Sequence, residues 1–269
     1  MRVSSLRGAI VPVAILVLWE ILSRVGVFSP IVLPPPTAVA VKWVNGLVPG
    51  LPYDPSSQSY LAWLFSGEMP HDMVSSLSRV VSGFLIGAGL AVPVGLVLGT
   101  NDRLYALFNP LLQVLRPIPP IAYIPLAIVW FGLGNPPALF LIALGTFFPV
   151  LVNTIAGVRQ VDSIYIRAAR NLGAGPWTMF RRVILPAASP FVLAGMRIGI
   201  GTAFIVVIVA EMIAVSDGLG YRILEAREYM WSDKIIGGML TIGVLGLIID
   251  GAMSRLNDHL LRWHRGLER

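Results

Sequence analysis

The fold is decided by stretches such as residues 138–158, which read ALFLIALGTFFPVLVNTIAGV and contain no charged residue. At about 1.5 Å per residue, a helix of this length is about 30 Å long, which matches the hydrocarbon core of a bilayer. A stretch this long and this apolar predicts a helix that crosses a membrane.

Comparable apolar stretches lie on both sides of it, so we expect an all-α integral membrane protein with about six transmembrane helices. The candidate spans are residues 10–23, 80–98, 104–131, 138–158, 191–214 and 235–253. The composition agrees, because 56% of the residues are hydrophobic and only 13% are charged, against roughly 25% charged in a soluble domain. The first stretch resembles the core of a signal peptide, but it contains Glu20 and is followed by Arg24 without a small-residue cleavage site, which favours an uncleaved helix.

Arginine residues predict the orientation of these spans. They concentrate before residue 10, at residue 103, within residues 159–187 and after residue 253. An even number of spans places these four segments on one side, which the positive-inside rule makes the cytoplasm. We therefore expect both termini to be cytoplasmic. The net charge of +6 then reflects membrane topology, whereas in a soluble protein it would suggest nucleic-acid binding.

We expect two parts along the chain. Residues 1–75 would form an N-terminal transmembrane helix and an outer loop with a short interfacial helix at residues 38–47. Residues 76–269 would form the core domain, with a cytoplasmic loop at residues 159–187. Small residues recur four apart inside the spans, which lets helix backbones approach closely, and we interpret them as packing within one subunit more readily than as a dimer face. These glycine pairs are Gly83 and Gly87, Gly95 and Gly99, and Gly195 and Gly199.

The cytoplasmic loop carries a regular pattern, VDSIYIRAARNLGAGPWTMFRRVILP, at residues 161–186. Asp162 or Ser163 can cap a first helix, and Gly173 can end it in the left-handed conformation. Pro176 suits the first turn of a second helix, and we expect Pro186 to close this unit before the next span. The pattern predicts a helix–turn–helix that serves as a docking surface, or else a plain pair of interfacial helices.

This segment resembles the EAA loop of binding-protein-dependent ABC importer permeases. The family pattern is Glu-Ala-Ala, three residues, Gly, nine residues, Ile, one residue and Leu-Pro. Val183 takes the isoleucine position, and Arg167 replaces the glutamate with the opposite charge. The polar contact of that glutamate is therefore not carried over, whereas the packing role of the small residues is. The positions that match are Ala168, Ala169, Gly173, Leu185 and Pro186.

The resemblance covers residues 76 to 269 and extends to a branch that imports nitrate, bicarbonate, taurine and alkanesulfonates. The matching stretches are Arg116-Pro117-Ile118-Pro119-Pro120, Phe147-Phe148-Pro149, Asn153-Thr154 and Gly218-Leu219-Gly220-Tyr221. It implies the type I ABC importer permease fold, with five core helices and one extra N-terminal helix. It also implies a multi-pass protein of the bacterial inner membrane that pairs with a second permease copy in a homodimer. The other implied partners are two ATP-binding subunits, an external solute-binding protein and membrane lipid.

The chain itself lacks a nucleotide-binding motif. A P-loop needs a lysine followed by Ser or Thr after a glycine-rich turn, whereas Lys42 precedes Trp43 and Lys234 precedes Ile235. We therefore expect no ATPase activity and no bound cofactor or metal in this chain, with ATP and Mg on a partner subunit. Neither HExxH nor GxSxG occurs, so an intramembrane hydrolase is not indicated.

Several residues are candidates for a translocation pathway. Prolines that break a helix at membrane depth often mark substrate sites in transporters, although they also form simple kinks. Arginines within spans usually face a cavity or a partner, so these could attract an anion or form a structural pair with a carbonyl or with Glu211. The candidates are Arg116, Pro117, Pro119, Pro120, Arg197 and Glu211. The function predicted is import of a small anion driven by ATP, and the alternative is a secondary transporter or channel that does not use ATP.

Overall fold

The computed structural model describes residues 2–48, 60, 63 and 67–261, and side chains from residue 10 onward. Within these residues the secondary structure is helical, with no β-strand. A 3₁₀ turn at Pro120–Tyr123 precedes α5, and a π-helical turn at Phe180–Ile184 precedes α9. The helices are α1 Arg2–Arg24, α2 Pro36–Leu47, α3 Glu68–Thr100, α4 Asp102–Leu115, α5 Ile124–Phe131, α6 Asn135–Arg159, α7 Ser163–Asn171, α8 Pro176–Met179, α9 Leu185–Ala214, α10 Leu219–Glu228 and α11 Ser232–Leu260.

Four helical segments of the described chain are long and apolar enough to cross a membrane: Glu68–Thr100, Asn135–Arg159, Pro176–Ala214 and Ser232–Leu260. A fifth span results if Asp102–Leu115 and Pro120–Phe131, which meet at 82°, count as one. These five contain the predicted spans from residue 80 onward and confirm the helical membrane fold. The span predicted at residues 10–23 lies within α1, and its crossing, like the orientation of the termini, stays a prediction.

The chain divides into two compact units, Met1–Ser76 with Ser216–Val244 and Leu77–Val215 with Leu245–Arg269. The domain boundary expected at residue 75 stays a prediction. In the second unit α6 is the central helix. Leu141, Ile142, Val150 and Leu151 of α6 are each at most 1% exposed, because α3 and α9 cover its length.

Glycines explain how closely these helices pack. A Cβ added at Gly87 of α3 would lie 2.4 Å from the carbonyl oxygen of Ala143 in α6, and one at Gly95 would lie 2.7 Å from Cβ of Thr154. On α9, a Cβ at Gly195 would lie 2.7 Å from Cβ of Asn153. Only a residue without a Cβ allows these approaches. The small residues therefore pack helices within one subunit, as the sequence favoured.

The first unit contains α1, α2, the first turns of α3, α10 and the first part of α11. A helix is present at the residues predicted for the interfacial helix, as α2, and its position at the membrane surface stays a prediction. The indole of Trp43 in α2 donates a hydrogen bond of 2.8 Å to Thr241 Oγ1 of α11. Glu20 and Arg24 form an ion pair one helical turn apart. Glu20 also accepts a hydrogen bond of 2.9 Å from the hydroxyl of Thr37, so the carboxylate ties α1 to the start of α2.

Candidate functional site

The loop between α6 and α9 begins with the predicted short helix. The carboxylate of Asp162 accepts the backbone N–H of Ile164 at 2.8 Å and caps α7. At the other end Gly173 has φ +79°. The N–H of Gly173 bonds to the carbonyl of Arg170 at 2.9 Å, and the N–H of Ala174 bonds to that of Ala169 at 3.0 Å. These two bonds form a Schellman motif, which depends on a residue that accepts the left-handed conformation.

The second helix starts as expected and then departs from the prediction. Pro176 occupies the first turn of α8, but Pro186 does not close the unit, because the chain stays helical from Pro176 to Ala214. In the π-helical turn the N–H of Leu185 bonds to the carbonyl of Phe180, five residues earlier. This change of hydrogen-bond register comes immediately before Pro186, which has no N–H to donate, so the helix continues without a break. Leu185 and Pro186 therefore form the first turn of α9.

The loop presents apolar side chains on its surface. Leu172 is 87% exposed and Trp177 is 69% exposed, and the indole of Trp177 stacks on the ring of Phe180 at 5.7 Å. Arg167 and Ala168 are also exposed, whereas Ala169 is half-buried. Exposed large apolar side chains of this kind are typical of surfaces that contact another protein.

The span between residues 104 and 131 is broken where the prolines predicted it. Arg116 follows the last residue of α4, and Pro119 and Pro120 initiate the 3₁₀ turn that leads into α5. Since proline supplies no N–H, the hydrogen-bond ladder stops here, and the two halves of the span meet at 82°. Pro117 lies in this break, beside Arg116.

Two cavities meet at this break. The larger has a volume of about 730 Å³, and its wall includes Arg116, Arg159 and Gln113. The smaller has a volume of about 310 Å³, and its wall includes Arg116, Asn153 and Thr202. Arg116 and Val152 belong to both walls. The break therefore places one guanidinium at the junction of two cavities whose walls are mostly apolar.

The other candidate residues of the pathway lie elsewhere. The guanidinium of Arg197 forms two hydrogen bonds of 2.8 Å with the carboxylate of Asp250 in α11. Glu211 is instead fully buried and pairs with Arg79, which also donates to Asn135 at 2.7 Å. The alternative pairing of Arg197 with Glu211 is therefore wrong. Neither Arg197 nor Glu211 belongs to the walls of the two cavities.

Sequence reasoning missed Arg79, Asp250 and Asp72. Asp250 lies inside the span predicted at residues 235–253, where a charge signals a partner, so the signal for it was present. Arg79 immediately precedes the span predicted from residue 80, so it did not stand out as a charge within a span. Asp72 lies in a stretch predicted to be an outer loop, and a polar loop gives no sign that one carboxylate will be buried.

Asp72 anchors the Gly218–Tyr221 motif. Its carboxylate is 1% exposed and accepts the N–H of Gly218 at 3.0 Å and Nε of Arg222 at 2.8 Å. Partial burial is the largest single influence on Arg222 and disfavours its charged form, whereas the hydrogen bond to Asp72 favours that form. The negative charges of Asp72, Glu68 and Glu225 add to this effect, so the pKa of the guanidinium is raised. Gly218 has φ +103°, which explains the glycine at this turn.

Named relatives resemble this chain over most of its length. The aliphatic sulfonates transport permease protein SsuC named in Bacillus subtilis is 34% identical over 267 residues, covering 99% of this chain and 91% of that protein. The taurine transport system permease protein TauC of Escherichia coli is 32% identical over 250 residues, covering 93% of this chain and 86% of that protein. The bicarbonate transport system permease protein CmpB of Synechococcus elongatus is 37% identical over 190 residues, covering 70% of this chain and 68% of that protein.

The fold also matches a solved structure. A chain of the MetNI methionine ABC transporter, in an inward-facing conformation, superposes with a TM-score of 0.58 at 24% identity, covering 71% of this chain and 94% of that chain. This likeness establishes the type I ABC importer permease fold.

A family model described as "Binding-protein-dependent transport system inner membrane component" matches residues 91–265. This match, together with the relatives, confirms the predicted importer permease over a secondary transporter or channel. It also confirms the multi-pass location in the inner membrane. The chain belongs to the family of binding-protein-dependent transport system inner membrane components, the permease subunits of ABC importers.

Proposed function

We propose that this permease passes a small anionic solute, such as a sulfonate, taurine, nitrate or bicarbonate, from an external binding protein to the cytoplasm. The observation that carries the proposal is the position of Arg116, at the junction of two cavities of about 730 and 310 Å³. A cation inside a span lowers the barrier for an anion and raises it for a cation. The names of the relatives, which refer to sulfonates, taurine and bicarbonate, support the same class of solute.

The cavities give this pathway two sections. The smaller holds Asn153, whose amide donates one N–H to the carbonyl of Pro149 at 2.8 Å and has a second N–H to offer an oxyanion without a full charge. The larger adds Arg159, which is held by Asp102 at 2.8 Å and lies 4.2 Å above the ring of Tyr105. Because Asp102 partly neutralises Arg159, an anion would be held less firmly there than at Arg116. A weaker second section favours release over trapping of the solute.

The driving force comes from another chain. The sequence has no P-loop, so ATP and Mg would be bound by two partner ATPase subunits. The surface that would contact them is the coupling loop, residues 159–187, where Leu172 and Trp177 present apolar side chains. Arg167, Ala168 and Ala169 lie on α7, Gly173 ends it, and Leu185 and Pro186 begin the span that would receive the movement. The partners are completed by a second copy of this permease and by membrane lipid.

The test is ATP-driven uptake of radiolabelled taurine and nitrate by vesicles that contain the permease, its ATPase and its binding protein. Replacing Arg116→Gln removes the charge at the junction, and we expect uptake to fall about tenfold or more while the amount of bound ATPase stays unchanged. Arg103→Gln is a matched control, because Arg103 is exposed and lies outside both cavity walls.

Arg197→Gln separates the two candidate arginines. If Arg197 also attracts the anion, uptake falls as for Arg116→Gln. If Arg197 acts only through Asp250, the exchange Arg197→Asp with Asp250→Arg restores the uptake that either single replacement removes. Unchanged uptake after replacement of both Arg116 and Arg197 would overturn the anion pathway.

A further inference from the structure

A separate cavity lies within the unit formed by Met1–Ser76 and Ser216–Val244, and Arg116 does not belong to its wall. It has a volume of about 240 Å³, and its walls come from α2, the first turns of α3, α10 and the start of α11. A water molecule occupies about 30 Å³ in the liquid, so this space is large enough for a small solute. The family resemblance and the pathway leave this cavity unexplained.

Four of the charged side chains in the cavity wall compensate one another. Arg222 pairs with Asp72 and with Glu68, and the ammonium of Lys234 lies 4.0 Å from Glu68. The buried carboxylate of Asp72 needs such a partner, because desolvation without a partner is costly. These four residues, with Glu225 as a further partner of Arg222, form an ionic network along one side of the cavity.

Two further charges in the same wall have no such partner. Within the described part of the chain, neither Lys42 nor Asp233 forms an ion pair, with each other or with another residue. One carboxylate oxygen of Asp233 accepts the backbone N–H of Lys234 at 2.8 Å. An ammonium and a carboxylate therefore line one cavity without neutralising each other. This arrangement suits a ligand with a negative group at one end, facing Lys42, and a positive group at the other end, facing Asp233.

We propose that this cavity binds a small zwitterion, with an acidic group at Lys42 and an ammonium group at Asp233. Trp43 supplies an apolar wall for the methylene groups between the charged ends, and its indole is held in place by the hydrogen bond to Thr241. Gly46, Gly237 and Gly238 contribute wall without side chains, and Met69 and Leu219 add apolar surface, so the cavity has room for an extended solute of a few heavy atoms. The ligand class is an ω-amino acid, either a sulfonate or a carboxylate.

The inference rests on the proposed function in one respect, namely the side from which the solute arrives. On the predicted topology the cavity is extracytoplasmic, so a zwitterion would be held here before it reaches the pathway at Arg116. The cavity would then select for the amine, which an anion pathway alone does not recognise. It therefore narrows the proposed solute class from small anions to those that also carry an ammonium group.

The test is equilibrium binding of radiolabelled taurine to the purified permease–ATPase complex in the absence of the binding protein. Ethanesulfonate, which has the acid but lacks the amine, serves as the competitor. We expect saturable taurine binding and at least about tenfold weaker competition by ethanesulfonate, because the competitor leaves Asp233 without its cation. Lys42→Gln should weaken both ligands about tenfold. Asp233→Asn should weaken taurine alone, so that the two ligands become equivalent.

Arg227→Gln is the matched control, because Arg227 is exposed on α10 and lies outside the cavity wall. If Asp233→Asn does not fold, three other variants replace it. Asp233→Glu and Lys42→Arg keep the charges and should keep taurine binding, whereas Lys42→Gln removes a charge and should weaken it. The absence of saturable taurine binding, or equal binding to wild type, Lys42→Gln and Asp233→Asn, would overturn the proposal. Arg116→Gln keeps the two proposals distinguishable, since it should lower uptake and leave the affinity of this cavity unchanged.

Discussion

Arg79 and Glu211 form a buried ion pair between α3 and α9, with Nη1 2.8 Å from Oε1 and the two side chains 5% and 0% exposed. The same guanidinium donates to Asn135, the first residue of α6. One cation thus joins three helices of the second unit. A charge at such a depth is retained only where its partners compensate the loss of water.

This pair should dominate the stability of the second unit. Glu211→Gln keeps the shape of the side chain but removes the anion 2.8 Å from Arg79, and we expect a loss of about 3–5 kcal/mol. The measurement is thermal inactivation of the purified permease, followed by size-exclusion chromatography. The control is Asp250→Asn. The ion pair of Asp250 with Arg197 is about half exposed, so its loss should lower the stability much less. If Glu211→Gln were as stable as wild type, the pair would not be the link between these helices.

Two glycines on α3 should respond differently to the same substitution. A Cβ at Gly87 would lie 2.4 Å from the carbonyl oxygen of Ala143, whereas a Cβ at Gly89 would meet nothing within 4 Å. Gly87→Ala should therefore push α3 away from α6 and lower the amount of folded permease. Gly89→Ala should be neutral or stabilising by up to about 1 kcal/mol, because alanine favours helix more than glycine does. Equal yields of the two variants would contradict this account of helix packing.

The coupling loop allows a similar comparison between two glycines, Gly173 and Gly175. Gly173 has φ +79°, whereas Gly175 has φ −69°, and neither would bring an added Cβ within 4 Å of another atom. Gly173→Asp adds a strain of roughly 1 kcal/mol or more and an unpaired charge at a surface proposed to dock. We expect loss of ATPase co-purification and of uptake, with normal amounts of permease in the membrane.

Gly175→Asp is the control for the charge alone, because its backbone conformation is open to any residue. If docking depends on the Schellman motif, Gly175→Asp should weaken it less than Gly173→Asp. Asparagine tolerates the left-handed conformation, so Gly173→Asn should keep more docking than Gly173→Asp. Full ATPase binding by Gly173→Asp would show that residues 159–187 are not the coupling element.

The orientation can be tested with single cysteines, because the chain contains none. Ser56, in an outer loop on the predicted topology, lies outside the described residues. A membrane-impermeant thiol reagent should label Ser56→Cys in intact cells. It should label Leu172→Cys, at a position 87% exposed in the coupling loop, only after the inner face is opened. The reverse pattern would invert the predicted topology.

Hydropathy and proline positions were sufficient to predict much of the fold. Apolar length alone predicts spans, because no other structure satisfies the backbone in lipid, and five of the six expected spans correspond to helices or to the bent pair. Gly173 and Pro176 act through their own backbone geometry, so their roles in α7 and α8 could be read locally. Pro186 could not, because whether a proline ends a helix depends on the hydrogen-bond register that precedes it.

Charge pairing was decided by the tertiary structure alone. The sequence by itself showed that Arg116, Arg197 and Glu211 lie within spans, since composition and position suffice for that. It could not show that Glu211 meets Arg79, 132 residues away, or that Arg197 meets Asp250. Electrostatic attraction acts at a few ångströms, and helix packing determines which charges come that close. The same packing places Arg116 at the junction of two cavities and brings Lys42 and Asp233 into the wall of a third.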